Sequence, residues 1–188
     1  MWTPSRPCGR CSVSDPRAGA QRPGDWSGLH VTFICSGNIC RSPMAEKMFA
    51  HQIGERGLAD AVRVTSAGTG AWHVGDAADH RAGAVLREHG YPSAHRAEQI
   101  GADHLSADLI VALGRNHLRI LREMGVPPER LRMLRSFDPR SAAHALDVED
   151  PYYGTRDDFQ DVFDVISSAL PGLHEWVDEQ LTARGIAS

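Results

Sequence analysis

The sequence predicts an α/β fold, because short runs of β-forming residues alternate with longer segments whose apolar residues follow helical spacing. Strands that are separated by helices form a parallel sheet that is covered on both faces. We therefore predict a three-layer sandwich with a central four-stranded parallel sheet and helices on both faces. Ligands bind such sheets beyond the carboxyl ends of the strands.

The length of 188 residues favours one domain, since typical domains contain about 100 to 200 residues. Residues 1–28 are rich in proline and glycine and show no apolar periodicity. We predict a disordered N-terminal tail at 1–28 and a folded domain at 29–188.

The first strand is predicted at 30–34 (HVTFI), and a helix is predicted from Ser42, with apolar residues at helical spacing as far as Ile53. Pro43 suits the first turn of this helix, where its missing N–H costs nothing. Further strands are predicted at 61–66, 108–113 and 131–134, and further helices at 79–89 and 115–124. A last helical phase runs through 159–181, and we expect the Pro171-Gly172 pair to kink or split it.

Charge and cysteine content exclude several classes of protein. The formal net charge is -4 and no segment clusters Lys or Arg, so a nucleic-acid partner is not expected. Four cysteines are too few for a disulfide scaffold and fit a reducing compartment. No apolar run reaches the roughly 18 residues of a membrane span, and no signal peptide is evident. We expect a cytoplasmic monomer with no membrane partner, metal or cofactor.

The loop between the first strand and the first helix predicts a phosphate-binding loop. Gly37 and Asn38 tolerate positive φ, which lets successive backbone N–H groups turn inward and form an anion-binding nest. The following helix N-terminus adds unpaired N–H groups and partial positive charge.

Cys35 lies at the mouth of this nest, where positive potential stabilises thiolate over thiol, and is predicted to be a nucleophile. Arg41 would contact two phosphoryl oxygens and stabilise transition-state charge. Ser42 would donate its hydroxyl to the sulfur when the sulfur becomes the leaving group. The same spacing from Cys11 to Arg17 lacks a strand, a turn with Gly or Asn, and a helix, so we interpret it as coincidence.

The segment VTFICSGNICRSP (31–43) resembles the phosphate-binding loop of the low-molecular-weight protein tyrosine phosphatases, especially the secreted bacterial members. The similarity runs from about residue 30 to about residue 184 and includes SAGTG, WHVG, HALDVEDPYYG and the final helix. It implies a signalling phosphatase that hydrolyses aryl phosphates of phosphotyrosine-containing proteins through a cysteinyl-phosphate intermediate. Likeness to secreted relatives also implies release from the cell without a signal peptide. The residues assigned to phosphate and substrate binding in the loop are Ser36, Gly37, Asn38, Ile39, Cys40 and Ser42.

A proton donor is also needed, because a phenol leaving group with a pKa of about 10 departs poorly as phenolate. Asp-Pro pairs occur at Asp15, Asp138 and Asp150, and Tyr152 and Tyr153 follow the last of these. The two rings would flank the aromatic ring of a substrate. The resembled family has its acid in such an EDPYY segment, which implies that Asp150 is general acid and then general base, whereas Asp138 forms a turn. The resemblance also permits a tyrosine kinase to act on the two tyrosines.

The resemblance assigns supporting roles to residues outside the loop. Trp72 would line the pocket mouth and tune substrate choice. Ser42, Ser66 and His95 would support the strained backbone of Asn38.

Two positions leave alternatives open. Cys40 would either form a transient disulfide that protects Cys35 from over-oxidation or be a packed small residue. Gly114 stands where the family usually has Asp before a helix, which predicts a looser helix start.

Three other functions fit the sequence less well. An arsenate reductase of the same fold needs thiols downstream of Cys40, and the sequence has none. A silent phosphotyrosine-binding module would lack the nucleophile or the acid. A zinc or redox module would need Cys8 and Cys11 of the tail to join the loop cysteines.

Overall fold

A computed structural model describes residues 28–186, so the predicted tail lies outside the described residues except for Gly28. The strands of the described chain are β1 (Leu29–Cys35), β2 (Val62–Gly68), β3 (Leu109–Ala112) and β4 (Leu131–Met133). Its α-helices are α1 (Arg41–Glu55), α2 (His80–Glu88), α3 (Ala102–Leu105), α4 (Arg115–Glu123) and α5 (Arg156–Ala183).

The four strands form one parallel sheet in the order β2-β1-β3-β4, which confirms the predicted central sheet. Cys35 at the end of β1 pairs with Gly68 of β2, and Ile34 pairs with Ala112 of β3. Because all strands are parallel, the loops after β1, β2 and β3 meet at one edge of the sheet.

Alternation along β1 divides the core into two layers. Leu29, Val31 and Phe33 are fully buried against the cluster that contains the apolar faces of α1, α2 and α5. Ile34 points to the opposite face, where it joins the cluster that includes Leu121 of α4. Side chains of successive strand residues face opposite sides of a sheet, so helices cover both faces as predicted.

Helix α5 continues through Pro171, so this segment is not split, and the alternative of a kink stays a prediction. A Cβ on Gly172 would lie 2.1 Å from the carbonyl oxygen of Phe137. The glycine therefore allows the helix to pack directly against the backbone that follows β4. No helix in residues 28–186 has both the length and the apolar character that a bilayer crossing requires.

Candidate active site

A cavity of about 300 Å³ opens at the carboxyl end of β1. It is bounded by the phosphate loop (residues 35–41), by the segment after β2, and by the acid loop (residues 149–155) before α5. Its lining residues are Cys35, Ser36, Gly37, Ile39, Cys40, Arg41, Trp72, His73, Asp150, Tyr152 and Tyr153. The structure thus brings the predicted nucleophile, arginine and acid together, and adds His73, which the sequence did not indicate.

Two polar groups contact the sulfur of Cys35, one in the loop that follows it and one in the first turn of α1. The Asn38 N–H donates to Sγ at 3.3 Å, and the Ser42 hydroxyl oxygen lies 3.0 Å from Sγ. Cys35 itself is buried. Both groups can donate a hydrogen bond to the sulfur.

Asn38 has a φ of 57°, the one positive φ of a non-glycine residue in the described range. Its side-chain amide donates to Ser42 Oγ at 2.9 Å and to Ser66 Oγ at 2.8 Å. Its Oδ1 accepts from the N–H of Glu98 at 2.8 Å. A left-handed backbone costs free energy for a residue with a Cβ, and these buried hydrogen bonds offset that cost. Gly37, by contrast, does not adopt positive φ.

A second layer of contacts supports Asn38 from behind. His95 Nε2 lies 2.9 Å from the carbonyl oxygen of Asn38, and Ser66 Oγ donates to Glu46 Oε2 at 2.5 Å. Burial lowers the pKa of His95, while the nearby carboxylate of Glu46 opposes this shift. Ser66 and His95 therefore lie where the sequence predicted, whereas Glu46 and Glu98 were missed.

Arg41 is the first residue of α1, and its guanidinium is buried beneath the acid loop. Nη1 donates to the carbonyl of Val148 at 3.0 Å, and Nη2 donates to Asp150 Oδ2 at 2.5 Å. Nε is buried and has no hydrogen-bond partner within residues 28–186. The carbonyl of Val148 and the carboxyl of Asp150 thus fix the plane of the guanidinium, and the Nε–H group remains to bind an anion.

Aromatic side chains surround the mouth of the cavity. Trp72 is 76% exposed and Tyr153 is 96% exposed, whereas Tyr152 is partly covered. The two tyrosine rings meet edge to face with centroids 4.9 Å apart. Asp150 lies just inside them, and its Oδ1 accepts from the Tyr152 N–H at 3.2 Å.

His117 on α4 contacts the phosphate loop and was missed by the sequence analysis. Its Nε2 lies 2.9 Å from Ser36 Oγ, and its Nδ1 has no partner in the described chain. Burial, followed by the charge of Arg41, lowers the pKa of His117 to about 4. The imidazole is therefore neutral at pH 7 and can hold Ser36 without adding charge to the site.

Gly114 precedes α4 without a side-chain cap of its own. Asp147 supplies the cap from another loop, because its Oδ1 accepts the Arg115 N–H at 2.6 Å. The looser helix start expected from Gly114 is thus offset by a contact that the sequence did not reveal.

Cys40 is buried in the same loop as Cys35, and both thiols are free in this structure. Burial raises the pKa of Cys40 to about 12, and the carboxylate of Asp79 adds to this shift. Cys40 is therefore a neutral thiol at pH 7, whereas a cysteine that acts as a nucleophile is ionised.

A family model described as low molecular weight phosphotyrosine protein phosphatase matches residues 30–183. The chain belongs to this family. It is 71% identical over 157 residues to the low molecular weight protein-tyrosine phosphatase A of Mycobacterium tuberculosis, covering 84% of this chain and 96% of that protein. It is 48% identical over 159 residues to the low molecular weight protein-tyrosine-phosphatase of Streptomyces coelicolor, covering 82% of this chain and 96% of the relative.

Solved structures of the family share the fold. A protein tyrosine phosphatase from Entamoeba histolytica superposes with a TM-score of 0.75 at 27% identity, over 81% of this chain and 99% of the other. The predicted fold class and membership of the low-molecular-weight tyrosine phosphatase family are confirmed, and this chain is an enzyme of that class.

Proposed function

We propose that this phosphatase transfers the phosphoryl group of phosphotyrosine first to Cys35 and then to water. The observation that carries this proposal is that Cys35, Arg41 and Asp150 line one cavity, with the Arg41 guanidinium hydrogen-bonded to the Asp150 carboxyl. In the first step the Cys35 thiolate attacks phosphorus while the bond to the tyrosyl oxygen breaks. Asp150 gives its proton to that oxygen, so tyrosine leaves as a neutral phenol.

In the second step the roles reverse. The carboxylate of Asp150 accepts a proton from a water molecule as that water attacks phosphorus, and the S–P bond breaks. The Ser42 hydroxyl, 3.0 Å from Sγ, stabilises the departing thiolate. Arg41 and the loop N–H groups hold the phosphoryl oxygens in both steps, where charge develops in the transition state.

Charge around the cavity supports Asp150 as the acid. A phosphate dianion bound to Arg41 would neutralise part of the positive charge that Asp150 now contacts. The negative charge of the substrate and of the thiolate would then favour the protonated carboxyl. The aromatic rim of Trp72, Tyr152 and Tyr153 would hold the tyrosine ring of the substrate.

Cellular context extends this proposal. We propose phosphotyrosine proteins of signalling systems as substrates. We also propose a tyrosine kinase that acts on Tyr152 or Tyr153 as a partner, and the exposure of Tyr153 supports access of a kinase to this residue. We also propose a cytoplasmic monomer that is released without a signal peptide, with residues 1–28 dispensable for activity.

Hydrolysis of p-nitrophenyl phosphate and of a phosphotyrosine peptide tests the mechanism. We expect turnover in the parent enzyme, none in Cys35→Ser, and an S-phosphate species that rapid quenching traps. Asp150→Ala should slow turnover by about 10² to 10⁴ and leave substrate binding largely intact. Absence of turnover in the parent would instead support a silent phosphotyrosine-binding module, and undiminished turnover in Asp150→Ala would contradict its role as the acid.

A further inference from the structure

Arg81 on α2 contacts the acid loop through two backbone carbonyls. Its Nη1 donates to the carbonyl of Gly154 at 2.8 Å, and its Nη2 donates to the carbonyl of Tyr152 at 3.0 Å. These carbonyls lie two and four residues after Asp150. The side chain of Arg81 thus binds the part of the acid loop that directly follows Asp150.

The carboxylate of Asp79 binds the same guanidinium. Arg81 Nε donates to Asp79 Oδ1 at 3.0 Å, and Nη2 donates to Asp79 Oδ2 at 2.8 Å. The hydrogen bonds with Arg81 lower the pKa of Asp79, so the pair stays charged at neutral pH. A carboxylate that binds two nitrogens of one guanidinium fixes its plane as well as its position.

The Asp79 backbone connects this pair to the phosphate loop. Its N–H donates to the carbonyl of Ile39 at 2.8 Å. The Arg81 guanidinium also lies 4.5 Å from the centre of the ring of Phe159, a buried residue in the first turn of α5. One continuous set of contacts therefore joins the phosphate loop, the start of α2, the acid loop and α5.

We propose that Arg81 is a positioning residue for the general acid, and that the Asp79–Arg81 pair holds the acid loop in register with the phosphate loop. This inference rests on the proposed function, in which Asp150 is the acid. Arg41 also contacts Asp150, but a bound phosphoryl group would take over hydrogen bonds of that guanidinium. Arg81 lies outside the cavity lining and keeps its hold on the acid loop while substrate is bound.

A loosened acid loop would affect proton transfer more than phosphate binding. Displacement of a catalytic group by about 1 Å can cost about 10²-fold in rate. A poor leaving group such as phenol needs the proton most, whereas p-nitrophenol, a stronger acid, leaves more readily without it. The dependence of rate on leaving group therefore distinguishes loss of positioning from general damage to the enzyme.

The test compares Arg81→Met with Arg87→Met, which removes a guanidinium from the same helix but one that contacts Ser93 rather than the acid loop. For Arg81→Met we expect kcat/KM, which reports only the first phosphoryl transfer, to fall by about tenfold or more for phenyl phosphate and by less for p-nitrophenyl phosphate. Inhibition by inorganic phosphate should change less than about twofold. Arg87→Met should match the parent enzyme in all three measurements. Arg81→Lys, which keeps the charge but not the fork, should recover part of the loss.

Combination with Asp150→Ala gives a second readout. If Arg81 acts through Asp150, Arg81→Met should cause little further loss in the Asp150→Ala background. Should Arg81→Met destabilise the fold, Asp79→Asn provides the same comparison, because Asn keeps the helix cap but weakens the fork; we expect a smaller effect in the same direction.

Equal losses for both substrates, or full additivity with Asp150→Ala, would overturn the positioning role. If Asp150→Ala shows the leaving-group dependence and neither Arg81→Met nor Asp79→Asn does, only this inference fails. If Asp150→Ala shows no leaving-group dependence, Asp150 is not the acid and both proposals fail.

Discussion

Arg41 Nη2 donates a 2.5 Å hydrogen bond to Asp150 Oδ2, so the proposed phosphate-binding group and the proposed acid share one contact. The Asp150 carboxyl is about half exposed, whereas the Arg41 side chain is 8% exposed. The arginine is thus the fixed partner, and the carboxyl is the one that can adjust when Arg41 binds an anion.

We expect Asp150→Ala to bind inorganic phosphate as tightly as the parent enzyme or tighter, by up to about fivefold. A partly exposed ion pair contributes about 0 to 1 kcal/mol, and its loss frees Arg41 for phosphate while removing a nearby negative charge. Competitive inhibition by phosphate measures this effect, with Asp150→Asn as the control of similar shape. A tenfold weaker inhibition in Asp150→Ala would show that the carboxyl supports phosphate binding.

Asn38→Ala should lower the free energy of unfolding by about 1 to 3 kcal/mol for the lost buried hydrogen bonds. It should also be about 1 to 2 kcal/mol less stable than Asn38→Gly, because alanine, like asparagine, pays for the positive φ. Asn38→Gly loses the same hydrogen bonds but adopts this backbone without strain. Urea unfolding of both variants separates the two costs. Equal stability of the alanine and glycine variants would mean that the loop relaxes away from a φ of 57°.

The His117–Ser36 contact predicts a pH dependence of stability. Burial lowers the pKa of His117 from 6.5 to about 4. Between these pH values the unfolded chain binds more protons than the folded one, so the stability contribution is complete above pH 6.5 and is lost as pH falls toward 4. The loss amounts to up to about 3 kcal/mol. His30, whose pKa burial also lowers to about 4, adds in the same direction.

His117→Gln removes this titration and keeps a side chain that can bond Ser36. We expect the unfolding free energy of the variant to fall less steeply than that of the parent between pH 6.5 and 4. Denaturant unfolding at a series of pH values gives both slopes. Identical slopes would show that folding does not lower the pKa of His117.

Cys40→Ser should make oxidative inactivation harder to reverse. Peroxide would convert the Cys35 thiolate to a sulfenic acid, and the Cys40 thiol would condense with it to form a disulfide and water. Since burial raises the pKa of Cys40 to about 12, this condensation should proceed faster at higher pH. Recovery of activity with dithiothreitol after a peroxide dose measures the protection. Equal recovery in Cys40→Ser and the parent would favour a packing role for Cys40.

Local signals account for the features that sequence alone predicted. The β-rich run before Cys35, the Gly37-Asn38 turn and Pro43 after Arg41 are all within a few residues of one another. They fix the strand, loop and helix without long-range information. Helix α3 was missed because four residues are too few to show a period.

Contacts between distant segments were harder to predict. Glu46 looks like an ordinary surface charge in the sequence, and only the fold brings its carboxylate to Ser66. Glu98 contacts Asn38 through its backbone N–H, which no side-chain pattern reveals. His117 did leave a signal, since it lies four residues before the buried Leu121 on the same face of α4. A histidine on an apolar helical face marks a side chain that needs an internal partner.

Because β1 lies in the middle of the sheet, mutations near Cys35 and mutations at the cavity mouth should have different effects. The strand that carries the proposed nucleophile Cys35 is flanked by β2 and β3, so we expect mutations that shift this strand to reduce turnover. Trp72 and Tyr153 extend from other loops into solvent, and neither belongs to the strand that carries the sulfur. We therefore expect substitutions at these two positions to change which phosphoproteins bind while the proposed chemistry at Cys35 is retained.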